Sequence, residues 1–157
     1  MRVVICVFFV LINFAAHSQV PDKHLRFVDS VENATNSSLK KFIIKKDTGT
    51  IFSKDKKKTG SYEKQFYIDR KSNTLHLVNY LKMFVNGVIV NENYYYLNNK
   101  PISAYTLKQA KRKILPEDVY YFYKDQIHHF NDSTVLKSNS EIKINAEVFL
   151  KQYRQLK

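Results

Sequence analysis

From Leu75 to Leu107 the chain alternates apolar and polar side chains with the period of two that marks strands. Two turn signals divide the stretch, Asn86-Gly87 and Asn98-Asn99. Asn-Gly suits a two-residue type I′ turn, whose central residues both need positive φ. Hairpins centred on these turns pair Met83 with Val90 and Leu77 with Tyr96, then Tyr94 with Ser103 and Val90 with Leu107. One face then gathers Leu75, Leu77, Leu81, Met83, Val90, Tyr94, Tyr96, Tyr105 and Leu107, the expected core face. The opposite face carries His76, Tyr80, Lys82, Asn91, Asn93 and Tyr95, the expected binding surface. A slip of one residue exchanges the faces, so both expectations hang on the register.

Upstream, Leu25, Val28, Val31 and Ala34 step by three, which predicts a helix from about 22 to 34. The short polar side chains of 33–38 compete for backbone hydrogen bonds and are expected to end it. Residues 37–46 fit either a further helical turn or the start of a strand. The segment 47–61 holds Gly49, Gly60 and the lysines Lys54, Lys56, Lys57 and Lys58, and is expected to be a flexible basic loop. Tyr62 to Asp69 reads as a strand.

Downstream, 108–117 reads as a basic connection. Val119–Tyr123 and Gln126–Phe130 read as a hairpin turning at Lys124-Asp125. Its aromatic tip repeats the pattern around Asn98-Asn99 at an offset of 26 residues. A polar link, 131–139, leads to a helix over 140–157, with Ser140 as cap and Ile142, Ala146, Phe149, Tyr153 and Leu156 on one face. The fold class is therefore α+β: an N-terminal helix, an antiparallel meander of about five or six strands, and a C-terminal helix packed on the sheet.

Residues 1–18 change the picture of where the protein works. Arg2, an apolar run from Val3 and the small residues Ala16 and Ser18 have the layout of a secretory signal peptide. The run falls short of the about 20 residues that cross a bilayer. This predicts an exported protein, periplasmic or secreted, with 19–157 as one α+β domain. Loss of 1–18 would remove Cys6, the only cysteine, so stability must come from burial rather than disulfides. The full chain carries a net charge of +12; without Arg2, 25 basic against 14 acidic residues leave +11. That balance favours anionic partners.

Composition excludes several chemistries. Glycines only at 49, 60 and 87 allow neither a dinucleotide-binding fingerprint nor a phosphate-binding P-loop. The basic run 54–58 has no interleaved aromatic on which a base could stack. His128 and His129 are adjacent on a strand and point to opposite faces. Glu92 falls on the expected core face, between Leu81 and Tyr105. The sequence thus points to an exported, non-enzymatic binding or envelope-associated module without a cofactor or a metal. Its surface would be the His76–Tyr95 face or the basic loop of Lys56, Lys57 and Lys58. Its partner would be an anionic polymer, an envelope component or another protein. The alternative is a small hydrolase- or isomerase-like enzyme, with Glu92 or His76 as acid or base in a pocket between sheet and helix.

Overall fold

The first helix, α1, spans Asp22–Ser37 in a computed structural model that describes residues 20–110, 113–130 and 137–156. The expected signal segment 1–18 and most of the polar link 131–139 lie outside the described residues. Val28, Glu32 and Thr35 are the buried side of α1, spaced four and three apart. The polar run 33–38 does not stop the helix at 34. The Ser37 hydroxyl instead donates to the Asn33 carbonyl at 2.7 Å, so the side chain bonds back within the helix. A short 3-10 turn, Leu39–Lys41, follows.

Residues 47–61 are not a flexible loop. Strands β1 (Ile43–Phe52) and β2 (Lys58–Ile68) form a hairpin in which 53–57 alone make the turn. Both glycines that signalled a loop sit inside strands where a side chain has no room. A Cβ on Gly49 would lie 2.6 Å from the Tyr62 ring, and one on Gly60 would lie 2.4 Å from the Met83 carbonyl oxygen. The meander continues through β3 (Leu75–Phe84), β4 (Ile89–Leu97), β5 (Lys100–Ala110), β6 (Lys113–Ile114), β7 (Asp118–Tyr123) and β8 (Gln126–Phe130). The sheet has eight antiparallel strands in the order β1-β2-β3-β4-β5-β7-β8, with β6 paired on the end of β5. That exceeds the expected five or six, because most of β1 falls in the expected 47–61 loop and β6 in the expected 108–117 connection.

Two of the three turns form at the expected residues. Asn98 and Asn99 (φ 51° and 58°) and Lys124 and Asp125 (φ 49° and 62°) close two-residue turns between Leu97 and Lys100 and between Tyr123 and Gln126. The Asn86-Gly87 hairpin differs. Phe84 donates to the Val88 carbonyl at 2.9 Å, so the loop has three residues, with Gly87 at φ 79°. Met83 therefore pairs with Ile89 and Val78 with Tyr94, one residue off the expected register. A second shift falls between Tyr95 and Tyr96, beyond which Tyr94 faces Ala104 rather than Ser103.

The second helix, α2, spans Asn139–Gln155. Its cap is Ser138, two residues before the expected Ser140, in a reciprocal capping box with Glu141. Ile142, Ala146, Phe149 and Tyr153 pack on Phe66, Val78, Tyr94, Ala104 and Tyr120. Helix α1 covers the other face, where Val28 packs with Leu77, Tyr95 and Ile102. The sheet thus lies between the two helices, and each face has its own core.

Candidate functional site

The register gives the α2 face a polar row. Asp47, Lys64, Tyr80, Glu92, Thr106 and Asp118 are successive partners across β1, β2, β3, β4, β5 and β7. Lys64 is buried and donates to Asp47 at 2.9 Å and to Gln152 at 3.3 Å, with its ammonium over the Tyr62 ring. Glu92 is 0% exposed. Lys82 pairs with its Oε1, Lys137 with its Oε2 at 2.8 Å, and the Tyr94 hydroxyl donates to Oε2 at 2.7 Å. Burial pushes the Glu92 carboxyl up, but the two ammonium groups outweigh it and hold the carboxyl below 4.5. Burial, with the Glu92 charge, pushes Tyr80 up to about 12. Asp118 is also fully buried, against His129 Nε2 at 2.8 Å. Lys137 immediately precedes the α2 cap, so its ion pair clamps the start of the helix to the sheet.

On the α1 face the buried acid is Glu32. Its carboxylate accepts from the Ser103 and Tyr105 hydroxyls, and burial pushes its pKa above 4.5. The Tyr95 hydroxyl donates to Asn36 Oδ1 at 3.0 Å, and His24 Nε2 lies 3.2 Å from the Phe122 carbonyl. These contacts place α1 over the end of the sheet that carries the 98–99 and 124–125 turns. Toward the 86–87 turn the same face is more open: Asn79, Leu81, Asn91, Asn93 and Leu107 are half-buried and Met83 is exposed. Asn79 Nδ2 donates to both Asn91 Oδ1 and Asn93 Oδ1 at 2.8 Å, and leaves their amide nitrogens without a side-chain acceptor among the described residues. Leu81 and Leu107 flank Asn91 as register partners, and Met83, 42% exposed, pairs with Ile89. A second polar line runs along β2, where Tyr67 donates to Gln65 at 2.7 Å and Gln65 to Glu63 at 2.6 Å. Lys46 pairs with Glu63 at 3.1 Å.

The expected binding surface is therefore divided. Tyr80 and Lys82 belong to the α2 face, where Lys82 is tied to Glu92. Asn91, Asn93 and Tyr95 belong to the α1 face, where Tyr95 is buried under the helix and both asparagines lie on the open part. His76 lies apart from this cluster, beside the C-terminal end of α1: it stacks on Phe42 at 5.0 Å and bonds Thr74 at 3.1 Å, next to an irregularity in the β2–β3 pairing. Desolvation lowers its pKa. It is separated from His128 and His129 by β4, β5 and β7. Lys56 is in the β1–β2 turn, Lys57 follows it, and Lys58 begins β2; all are exposed. Since β1 and β3 run parallel, this basic turn and the 86–87 turn lie at the same end of the sheet. The lysines therefore border the open half of the α1 face.

Glu32, Lys64, Thr106, Asp118 and Lys137 escaped the sequence reading. Glu32 had a signal, because it lies four residues after Val28 and three before Thr35, on the buried stripe of α1. Among the described residues no group of three metal-ligating side chains exists, and no helix is long and apolar enough to cross a membrane. No family model, curated protein or solved structure matches this chain.

Proposed function

We propose that this is an exported, non-catalytic binding protein, and that its partner seats on the open half of the α1 face. One observation carries the reading: the α1 contacts of Val28, Glu32 and Asn36 gather toward the 98–99 end of that face, while toward the other end the Asn79, Asn91 and Asn93 amide cluster with Leu81 and Leu107 is only half-buried and Met83 is exposed. Rigid strands carry every one of these side chains, so little order has to be created on binding. The mix of apolar side chains and outward amide donors suits a polar macromolecular surface. The lysines of the 53–58 segment at its border add a cationic rim, which favours an envelope component with anionic groups. An acid–base role for Glu92 fits poorly, since its carboxylate is shut away from solvent and engaged by two lysines and a tyrosine.

Retention on envelope fractions at low salt tests the reading. The wild-type chain is expected to be retained. Leu81→Glu/Leu107→Glu is expected to pass through, and Lys56→Gln/Lys57→Gln/Lys58→Gln to lose the salt-sensitive part of retention. A folded Leu81→Glu/Leu107→Glu protein retained as well as wild type would overturn it.

A further inference from the structure

At the opposite end of the molecule the β4–β5 and β7–β8 hairpins stand side by side. Strand β5 pairs with β7, so β4 and β7 run parallel and both tips emerge at one end. Each tip is a two-residue turn with both central residues at positive φ, a tight geometry with little freedom. Helix α2 passes beside them and contributes Lys143 and Glu147, one helical turn apart. The three elements enclose a cleft of about 600 Å³, within the size range of small-molecule sites.

The cleft has an apolar floor of Leu97, Pro101, Ile102 and Phe122. The register shift between Tyr95 and Tyr96 turns Ile102 to the α1 side, where it packs with Val28. Lys100, Lys124 and Lys143 stand around the rim, one from each of the three elements, with Asp125 and Glu147 beside them. Among the described residues none of the three lysines lies within ion-pair distance of a carboxylate; Lys124 instead holds its ammonium 5.3 Å from the Tyr123 ring centre. Lys64, Lys82 and Lys137, by contrast, each sit in an ion pair. Three ammonium groups without a carboxylate partner among the described residues, above an apolar floor and in a chain of net charge +12, complement a molecule with an apolar body and an anionic head.

We infer that this cleft is a second binding site, for a small amphipathic anion: an aliphatic body on Leu97, Ile102 and Phe122, and a carboxylate or phosphate head held by Lys100, Lys124 and Lys143. The site is independent of the open α1 face and lies at the other end of the sheet.

The test is an NMR titration of the full chain with monomeric dodecanoate, below its micelle concentration. The outcome that supports the site is saturable binding with the largest shifts at Leu97, Ile102, Phe122 and Lys143. Binding should weaken about tenfold in Lys100→Gln/Lys124→Gln/Lys143→Gln, whose exposed positions leave folding unchanged. The uncharged amphiphile dodecyl maltoside, also below its micelle concentration, should bind about tenfold more weakly than dodecanoate. Shifts elsewhere, equal binding of the two amphiphiles, or undiminished affinity of the triple variant would overturn the site. A parallel arm with phosphatidylglycerol vesicles separates a free amphiphile from a bilayer: association with vesicles without a response to monomeric dodecanoate means a surface effect, and would also overturn it.

Discussion

The two faces of the sheet each bury a glutamate, and they treat it in opposite ways. Glu92, under α2, is fully enclosed and neutralised by Lys82 and Lys137. Glu32, between α1 and the sheet, has among the described residues only hydroxyl donors, Ser103 and Tyr105. Charge pairing makes the first a clamp that ties the α2 cap to the sheet; desolvation without a cation makes the second a group that resists ionisation. The difference follows the cover. Helix α2 closes its face with Phe149 and Tyr153 over five strands, whereas α1 closes one end and leaves the Asn79, Asn91 and Asn93 cluster in reach of solvent.

The largest break in this comparison is Glu92→Gln. It leaves two half-buried ammonium groups without their carboxylate and is expected to cost about 3 kcal/mol in denaturant unfolding. Glu32→Gln on the other face strands no charge. It is expected to change stability by about 1 kcal/mol or less, because the amide still accepts one hydroxyl bond and needs less hydration than a carboxylate.

The two glutamates also predict opposite pH slopes. The Glu92 pKa is depressed on folding, so its contribution is present above 4.5 and is lost as pH falls through the lower folded value. The Glu32 pKa is raised, so its contribution is present below 4.5 and is lost as pH rises through the higher folded value. Thermal melts across this range should show the acid-side loss shrink in Glu92→Gln and the loss on the alkaline side of 4.5 shrink in Glu32→Gln. Identical profiles in both variants would mean the two environments are not distinct.

The smallest effect sharpens the turn assignments. Gly87 has φ 79° and open space around it, so Gly87→Ala is opposed by backbone strain alone, about 1 kcal/mol. Asn98→Gly should be within a few tenths of a kcal/mol of neutral, since the turn keeps positive φ either way. Urea midpoints of the two variants check the pair.

Much of the architecture was legible because it rests on local signals. The stepping of Val28 and Val31 marked α1, the spacing of Ile142, Ala146, Phe149 and Tyr153 marked the buried side of α2, and Asn98-Asn99 and Lys124-Asp125 marked two turns. The faces were not legible. One extra residue in the 85–87 loop and one irregularity at Tyr95/Tyr96 each invert the alternation, and neither leaves a compositional trace beyond the Asn-Gly that fits both loop lengths. Gly49 and Gly60 read as loop because glycine usually marks freedom, whereas here it marks crowding by Tyr62 and by the Met83 backbone. The candidate site suffered most. Of the predicted surface, Asn91, Asn93 and the 56–58 lysines remain together at one end of the sheet, while Tyr80, Lys82 and Tyr95 are committed to packing and ion pairs.

The most direct measurement compares two glutamates placed on the same strand, one on each face. Val78 is buried under α2, and Leu81 lies three residues on, on the open α1 side. Thermal unfolding and envelope retention should be recorded together for Val78→Glu and Leu81→Glu. The expected result is loss of a cooperative transition for Val78→Glu, and a near wild-type transition with lost retention for Leu81→Glu. A Leu81→Glu protein that unfolds as readily as Val78→Glu, or stays folded and is retained like wild type, would contradict the proposal that the open half of the α1 face is where the partner binds.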